Sequence, residues 1–543
     1  MSALPHSLYT DPRVRAAYAE TAGMYRIVPQ AVAVPENVRD IVELLDWVRL
    51  TGTPLTARGA GSGIPGNAVG AGVIMDLRQR MPRLLEVDAT GRTALTSANI
   101  THAELNAEAA KQGLRLPPDP SSSPWATLGG MVACNAAGAR SVRHGPVRPW
   151  VQALEVVTAD GEVGWLDLDS AESSPPLAAL RRFDQGAGPA IRAAAGEIRA
   201  RFPKVRKNTA GYALDHWLDS RSPVDLVIGS EGTLAIVVSI RWRLAPVATA
   251  RTGLRVALRS LDDLEEAVTA LVACEPSAVE LLDGTFLRLL QATGQGVTLA
   301  EADAVLLVEF ERQQDPAARR AVNDAARAVA HLSIETVTAT TPEEEQRIWS
   351  LRHAASPILA RLPDSRRSLQ VIEDGCVPLP RLGEYVRAVR DAALTQGIEV
   401  VIFGHAGDGH VHVNALPDLT RPDWKDRLAR LYQQVSGAVI GLGGTPSGEH
   451  GDGRLRASLL EPLYGGAIMD LFRQVKTAFD PLGILNPGVK LDLSGAPLAR
   501  LKVGPDADPL PDDIAAGLRE IERTGGYALS RLALAGSDSG VIR

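Results

Sequence analysis

Three histidines stand close together in the segment VVIFGHAGDGHVHVN at residues 400–414. The Gly-Asp-Gly triplet between two β-branched runs predicts a hairpin, in which His405 leaves the first strand while His410 and His412 share one face of the second. Such a hairpin brings His405 opposite His412, and two imidazoles on adjacent strands are a good start for a divalent metal site. The alternative is that these histidines satisfy turn carbonyls or lie half exposed.

A carboxylate and an imidazole stand side by side further along the chain, in the segment GEHGDG at residues 448–453. Its glycines predict a tight, buried loop. Glu449 would complete a metal shell as an oxygen ligand. His450 would then be the general base, because an unperturbed imidazole pKa of about 6.5 suits proton abstraction at neutral pH. The alternative is a capped surface loop with an exposed Glu and His.

Glycine-rich stretches dominate the first half of the chain. The segment GSGIPG at residues 61–66 matches the dinucleotide fingerprint G-x-G-x-x-G. The residues that follow it, NAVGAGVIMDL, predict a strand instead of the helix that a Rossmann fold requires, so that fold is rejected. Glycines can also let backbone N–H groups converge on an anion without a helix. With similar stretches at residues 117–139 and 228–234, the pattern favours a large dinucleotide cofactor.

The elements that must position these groups follow from the hydrophobic periodicity. It predicts helices over residues 38–50, 261–274, 316–330, 382–394 and 468–479, and strands over residues 54–57, 73–77, 255–257, 304–310, 370–372 and 400–403. After residue 250 the strand–helix rhythm predicts a second sheet with helices packed on one face. Beyond residue 492 the Pro-, Asp- and Ala-rich composition indicates either an extension with one acidic helix or a disordered tail.

Composition narrows the function classes. The 543 residues carry a net charge of −7 with no basic stripe, which argues against nucleic acid or an anionic membrane as a partner. Cys134, Cys274 and Cys376 lie far apart, which excludes a disulfide framework or a cysteine-held cluster supplied by this chain. The sequence has neither an apolar leader nor a run of about eighteen apolar residues, so we expect a cytoplasmic protein that does not span a membrane.

Seven motifs occur in a fixed order: TARGAGSGIPG, PPDPSS…ATLGGMVACNAAG, KNTAGY, IGSEGTLA, GHAGDGHVHVN, SGEHGDG and ILNPG. On these motifs the chain resembles the FAD-linked oxidase family of the vanillyl-alcohol-oxidase flavin fold. It is most similar to the branch that holds D-lactate dehydrogenases, glycolate oxidase flavin subunits and D-2-hydroxyglutarate dehydrogenases.

The resemblance implies an α+β fold in two parts. Residues 28–246 would form a PCMH-type FAD-binding domain of two subdomains, and residues 247–490 a ferredoxin-like α+β cap that covers the flavin and ends in a helical segment. Residues 491–543 lie outside the resemblance and have no assigned role.

The resemblance also assigns site residues. It implies that His405, His412 and Glu449 bind a divalent ion, that His450 is the base, and that Arg352 binds the substrate carboxylate, for which a guanidinium fork is suited. The residues implied to bind FAD are Arg58, Gly59, Ala60, Gly61, Ser62, Gly63, Asp119, Ser121, Thr127, Gly129, Gly130, Glu231, Gly232, Ile236 and Asn486.

The implied reaction is FAD-dependent oxidation of a 2-hydroxy acid to the 2-oxo acid. The substrate would have D configuration and resemble lactate or 2-hydroxyglutarate. A Zn, Mn or Fe ion would polarise the hydroxyl group while hydride passes to the flavin N5. The FAD loop lacks the histidine to which some relatives attach flavin, so we expect non-covalent FAD. The electron acceptor would be an electron-transfer protein, a quinone or an iron–sulfur partner.

Two features depart from the family pattern. His410 stands where many members have Asn, so it is either an extra metal ligand or a substrate contact. The segment VIEDGCVPL lacks the lysine of some members that accept dicarboxylates. Three other functions stay open at this stage: a metal-dependent hydrolase built on His405, His412 and Glu449, a flavin-binding subunit of a larger redox complex, and an oxidase of phenolic alcohols.

Overall fold

The computed structural model describes residues 5, 7–168, 177–293, 301–491 and 496–536. Its strands, in chain order, are β1 (Leu8–Tyr9), β2 (Ala31–Ala33), β3 (Leu55–Arg58), β4 (Val73–Asp76), β5 (Leu85–Asp88), β6 (Thr93–Ser97), β7 (Leu114–Arg115), β8 (Val151–Thr158), β9 (Val163–Asp167), β10 (Ala235–Arg243), β11 (Ala245–Pro246), β12 (Ala250–Leu258), β13 (Ala278–Asp283), β14 (Ala304–Arg312), β15 (Ser333–Ala339), β16 (Gly375–Cys376), β17 (Glu399–Gly404) and β18 (His410–Leu416).

The α-helices of the same residues are α1 (Pro12–Ala17), α2 (Val38–Thr51), α3 (His102–Ala110), α4 (Leu128–Cys134), α5 (Ser141–His144), α6 (Ala178–Gln185), α7 (Ala187–Ala193), α8 (Ala195–Arg201), α9 (Leu214–Ser220), α10 (Val224–Val227), α11 (Leu264–Val272), α12 (Gly284–Ala292), α13 (Asp315–Ala328), α14 (Pro342–His353), α15 (Ala355–Ala360), α16 (Leu382–Gln396), α17 (Trp424–Gly441), α18 (Leu460–Tyr464), α19 (Gly466–Phe479), α20 (Asp512–Thr524) and α21 (Arg531–Leu534).

The first half of the chain contains two sheets. The smaller one has the order β1-β2-β4-β3, with β2, β4 and β3 parallel. Helix α2 covers it, beginning after the Asn37 cap and ending at Gly52, whose φ of 66° suits glycine. The larger sheet is antiparallel with the order β5-β6-β10-β8-β9, and α19 returns from the end of the second half to pack in its core. A helix from near the end of the second half therefore completes the core of the first half.

The second half is built on a seven-stranded antiparallel sheet with the order β15-β12-β14-β13-β17-β18-β16. Strands β12 to β15, with α11 and α13 between them, have the β-α-β-β-α-β arrangement of ferredoxin-like folds. The hairpin β17–β18 extends this sheet at β13, where Leu281 pairs with Gly404. The predicted ferredoxin-like cap is therefore confirmed, and the histidine hairpin is part of its sheet.

The prediction that helices cover only one face of this sheet is wrong. Helices α11, α13 and α16 pack on one face, and α12, α14 and α15 pack on the other. The physical reason lies in the strands: Val305–Val308 of β14 are all buried, and a continuous apolar run is typical of a strand covered on both sides.

The strand predicted over residues 370–372 is also wrong. Val371 and Ile372 are buried, but the chain bends there, and the strand β16 begins only at Gly375. The bend directs Glu373 and Asp374 towards the histidines, so a functional constraint overrides the β propensity of the apolar residues.

The segment 496–536 packs against both halves of the molecule. Ile514 and Leu518 of α20 join a core cluster with Val14 and Ile74 of the first half. On the cap side, Glu522 forms ion pairs with Arg367 and with Lys502, the latter at 3.1 Å. Over the described residues 496–536, the alternative that is found for the tail is the extension with an acidic helix, α20. Among the described residues, no helix is both long and apolar enough to cross a membrane.

Candidate active site

A cavity of about 340 Å³ lies between the first half and the cap. It runs from the glycine turn after β3 to the histidines of β17 and β18. All five residues predicted for metal binding and catalysis line it. So do fourteen of the fifteen residues predicted for FAD: Arg58, Gly59, Ala60, Gly61, Ser62, Gly63, Asp119, Ser121, Thr127, Gly129, Gly130, Glu231, Gly232 and Ile236.

In the first half of the chain, closely packed backbone segments form the wall of this cavity. No helix begins between β3 and β4, as the rejection of the Rossmann fold required. A Cβ on Gly59 would lie 2.3 Å from Thr127 Oγ1, and one on Gly129 would lie 2.7 Å from the Ala98 Cβ. Only glycine fits at these two positions, because the glycine turn and the start of α4 meet without room for a side chain. At Gly59 and Gly129 the wall thus consists of bare backbone and leaves a narrow cradle for a flat ligand.

Two of the charged residues in this wall, Arg58 and Glu231, direct their side chains into the protein. The Arg58 guanidinium donates to the carbonyl oxygens of Tyr18 at 3.1 Å and Glu20 at 2.8 Å. The Glu231 carboxylate accepts from the backbone N–H groups of Asp452 and Gly453, both at 3.0 Å. These side chains hold the wall in place, so a role in FAD binding would fall to their backbone. That role stays a prediction.

Asn486 is the predicted FAD residue that the structure leaves outside the cavity lining. Its Nδ2 donates to the carbonyl oxygens of Asn67 and Glu231, both at 2.8 Å. It lies behind the wall and ties the segment after α19 to two of the glycine-rich turns. The segment after α19 therefore reaches the back of the cavity wall, while a contact of Asn486 with FAD stays a prediction.

The opposite end of the cavity brings His405, His412 and Glu449 together. Glu449 Oε1 lies 3.1 Å from His405 Nε2 and 3.4 Å from His412 Nε2, and the two Nε2 atoms are 3.3 Å apart. The Nδ1 of His412 lies 2.9 Å from the backbone oxygen of Glu373, and that of His405 lies 2.6 Å from Glu280 Oε1. Since each Nδ1 carries the proton, both Nε2 lone pairs and the carboxylate oxygen face one point. This donor set fits a divalent cation.

Lys207 forms an ion pair with Glu449, the third member of this donor set. Lys207 was not predicted as a site residue from the sequence. Its Nζ lies 2.8 Å from Glu449 Oε2 and 3.4 Å from Asp408. Burial opposes the charge of Glu449, but the Lys207 ammonium favours it, and the pKa of that carboxyl lies well below its usual range. Lys207 is the first residue of the KNTAGY motif, so the motif pointed to this segment. The motif alone could not predict that the lysine pairs with Glu449.

His410 belongs to the same cluster, with a ligand atom within 4.8 Å of those of His405, His412 and Glu449. Its hydrogen bonds nevertheless engage both ring nitrogens: Nε2 lies 2.9 Å from Asp374 Oδ1, and Nδ1 lies 3.4 Å from Lys207 Nζ. Burial and the neighbouring Lys207 lower the pKa of His410 to about 3, so the ring is neutral. These bonds favour a supporting role over direct ligation.

His450 lies beside this cluster and is oriented by residues that the sequence did not single out. Its Nδ1 lies 2.6 Å from Glu373 Oε2, and its backbone N–H donates to Asp374 at 3.0 Å. Although burial disfavours the charged ring, Glu373 and Asp374 raise the pKa of His450 to about 9. Burial opposes the charge of both carboxylates, but His450 and Arg456, which pairs with each of them, lower their pKa values. The Nε2 atom of His450 is left as the nitrogen available for proton transfer.

Arg352 comes from α14 on the cap. Its guanidinium lies over the Phe403 ring at 4.9 Å, and its Nε donates to Glu280 Oε2 at 2.6 Å. Burial disfavours the charge of Glu280, but His405 and Arg352 overcome this and lower the pKa of that carboxyl. Glu280 was missed, because a lone glutamate in the segment AVELLD reads as the exposed residue of a strand.

Comparisons with known proteins agree with this architecture. Residues 29–167 match the family model of an FAD binding domain, and residues 251–489 match that of the C-terminal domain of FAD linked oxidases. The chain is 30% identical to the D-lactate dehydrogenase of Archaeoglobus fulgidus over 84% of this chain and 90% of that protein. It is 29% identical to the glycolate oxidase subunit GlcD of Bacillus subtilis over 86% of this chain and 89% of that protein.

A longer relative matches over part of its length. The D-2-hydroxyglutarate dehydrogenase of Pseudomonas putida is 30% identical over 88% of this chain, which spans 50% of that protein. Among solved structures, the 4-ethylphenol oxidase of Gulosibacter chungangensis superposes with a TM-score of 0.65 at 15% identity, covering 89% of this chain and 94% of that one. That likeness shows a common fold. The two matched domains, together with the two relatives that the chain covers almost completely, show that this chain belongs to the FAD-linked oxidase family.

Proposed function

We propose that this protein oxidises a 2-hydroxy acid of D configuration, lactate-like or 2-hydroxyglutarate-like, to the 2-oxo acid. The observation that carries the proposal is the convergence of two imidazole lone pairs and a carboxylate oxygen at the end of the cavity, next to Arg352. The names of the relatives, D-lactate dehydrogenase and D-2-hydroxyglutarate dehydrogenase, support the substrate class.

The roles of the residues follow from their chemistry. FAD supplies the two-electron acceptor, and a Zn, Mn or Fe ion held by His405, His412 and Glu449 supplies a Lewis acid for the hydroxyl group. Arg352 binds the carboxylate of the substrate through its guanidinium fork, and Phe403 beneath the fork limits its movement. We expect the FAD to be bound non-covalently.

His450 accepts the hydroxyl proton at Nε2. The Nδ1 of His450 lies 2.6 Å from the Glu373 carboxylate. This contact orients the ring in the same way that a buried acid orients the catalytic histidine of other enzymes. A base must be neutral, whereas the pKa of about 9 describes the chain without a cation beside Glu449. A divalent ion held beside Glu449 would disfavour the charged ring by repulsion, so that His450 would be a neutral base when the ion is bound.

The division of the chain into domains at residues 246/247 and 490/491 is also a proposal. It is supported by the change of sheet between β11 and β12, which lie on either side of the first boundary. Residues 491–543 stay a C-terminal tail without an assigned role, whose described helix α20 contacts both other parts.

Membership in the FAD-linked oxidase family overturns the alternative of a metal-dependent hydrolase. The electron acceptor is proposed to be a separate electron-transfer protein, quinone or iron–sulfur partner. One of the relatives carries the word subunit in its name, which supports a partner of this kind.

The test is anaerobic bleaching of the bound flavin by a panel of D- and L-2-hydroxy acids. We expect rapid bleaching by D enantiomers in the metal-loaded protein, and loss of bleaching with retention of FAD after a chelator removes the metal. Replacement of the exposed His331, which lies away from the site beside Glu266, is the matched control for histidine variants. Absence of bleaching by every acid in the panel would overturn the substrate class.

A further inference from the structure

Glu280 is a completely buried carboxylate in the middle of the cap sheet. It lies on β13, which pairs with β17 through Leu281 and Leu282, so it is next to the end of the strand that His405 follows. Because side chains alternate along a strand, Glu280 shares the face of Leu282, which packs towards α14. One acidic side chain therefore lies between a residue of the histidine hairpin and a residue of α14.

The two oxygens of this carboxylate have different partners. Oε1 lies 2.6 Å from His405 Nδ1, and Oε2 accepts from Arg352 Nε at 2.6 Å. Both partners line the cavity, although Glu280 itself does not. The same carboxylate thus fixes which nitrogen of His405 faces the cavity and how the Arg352 guanidinium is turned.

We propose that Glu280 is a positioning residue that sets the metal-binding tautomer of His405 and the carboxylate-binding orientation of Arg352 at the same time. This inference rests on the proposed function. It joins the metal site and the substrate carboxylate site through one side chain, so that both are correctly oriented before either ligand arrives.

The chemistry requires an ionised carboxylate at this place. Both partners present an N–H group, and only a carboxylate can accept from two donors with its two oxygens. A glutamine would turn its own amide N–H towards one of them. Facing Arg352, that amide would displace the guanidinium. Facing His405, it would favour the other tautomer and place a proton on Nε2, where the lone pair is needed.

A simpler role would be that of a buried ion pair with Arg352 that only stabilises the cap. The two roles differ in what they predict for metal affinity. An ion pair that serves stability alone leaves the affinity of His405, His412 and Glu449 for a cation unchanged. A positioning residue changes it even in protein that is folded and loaded with FAD.

The experiment compares Glu280→Gln with the wild-type full chain, both loaded with FAD. Asp283→Asn is the matched control, because Asp283 is buried on the same strand and caps α12 through the Phe286 N–H. Two affinities are measured: that for Co²⁺ by calorimetric titration, and that for a 2-oxo acid by its perturbation of the flavin absorbance. We expect Glu280→Gln to weaken Co²⁺ binding by about 10- to 100-fold and to weaken 2-oxo acid binding at least about tenfold. The control should change neither affinity.

Wild-type affinities in the FAD-loaded Glu280→Gln variant would overturn the inference. If that variant does not accumulate in FAD-loaded form, Arg352→Met serves as the second test. With Arg352 gone, the charge of Glu280 acts on His405 alone, so Co²⁺ should bind at least as tightly as to the wild type while the 2-oxo acid is lost. Weaker Co²⁺ binding would contradict the inference. Failure of the proposed function looks different, because the wild type itself would then bind no Co²⁺ or no 2-oxo acid.

Discussion

The two ends of the cavity are built in opposite ways. At the flavin end, uncharged backbone segments pack so closely that a Cβ on Gly59 or Gly129 would collide with a neighbour. At the histidine end, ionisable side chains are buried in mutual contact: Glu280, Glu373, Asp374, His405, His412, Glu449 and Lys207. We therefore expect one end to recognise its ligand by shape, and the other by charge and proton position. Substitutions at the two ends should therefore separate cofactor binding from chemistry.

The largest effect should come from His405→Ala. It removes one lone pair from the proposed metal site and leaves Glu280 and Glu449 without a histidine between them. We expect kcat to fall by about 10³-fold or more, which corresponds to roughly 4 kcal/mol of lost Lewis-acid stabilisation. The ratio of FAD to protein should stay at the wild-type value, because the flavin wall is untouched.

Steady-state kinetics and flavin absorbance of the purified variant measure both quantities, with His331→Ala as the control. Loss of FAD together with activity would show that the two ends of the cavity are not separable.

The sequence predicted the residues of the glycine-rich end more completely than the charged residues of the histidine end, and the reason is physical. Glycine turns and a hairpin with histidines are local patterns, so the wall and the positions of His405 and His412 could be predicted. Glu280 contacts a histidine 125 positions away, and Lys207 contacts a carboxylate 242 positions away. A buried charge is recognisable only by its partner. Glu280 meets His405 through the pairing of β13 with β17, and Lys207 meets Glu449 where two loops pack together, so no local pattern contains either contact. The wrong strand at 370–372 has the same origin, because long-range contacts of Glu373 and Asp374 decide the bend.

A second substitution tests what joins the two ends. Lys490 is completely buried and lies 3.0 Å from Glu231 Oε2 in the flavin wall and 2.8 Å from Asp452 Oδ2 in the GEHGDG loop. It also donates to the backbone oxygens of Thr209 and Gly211. Lys490→Met would leave two carboxylates buried without their cation, which costs about 3–5 kcal/mol of the free energy of unfolding.

Urea unfolding followed by circular dichroism measures this loss. Lys425→Met is the matched control, because Lys425 forms an exposed ion pair with Asp506, and we expect a change of less than about 1 kcal/mol there. If the two variants were equally stable, Lys490 would not be the link between the wall and the loop.

The smallest effect should come from Gly129→Ala at the flavin end. The added methyl group would lie 2.7 Å from the Ala98 Cβ and 3.2 Å from the Ala98 oxygen, and neither atom belongs to a flexible side chain that could move aside. The strain of about 1–3 kcal/mol displaces the wall, so FAD affinity should fall about tenfold or more. Gly437→Ala in α17 is the control, because a Cβ there meets nothing within 4 Å. Since the histidine end is unaffected, Gly129→Ala saturated with FAD should recover most of the wild-type kcat, whereas His405→Ala should not. Recovery of His405→Ala by excess FAD would contradict the division of the cavity into a shape-selective end and a charged end.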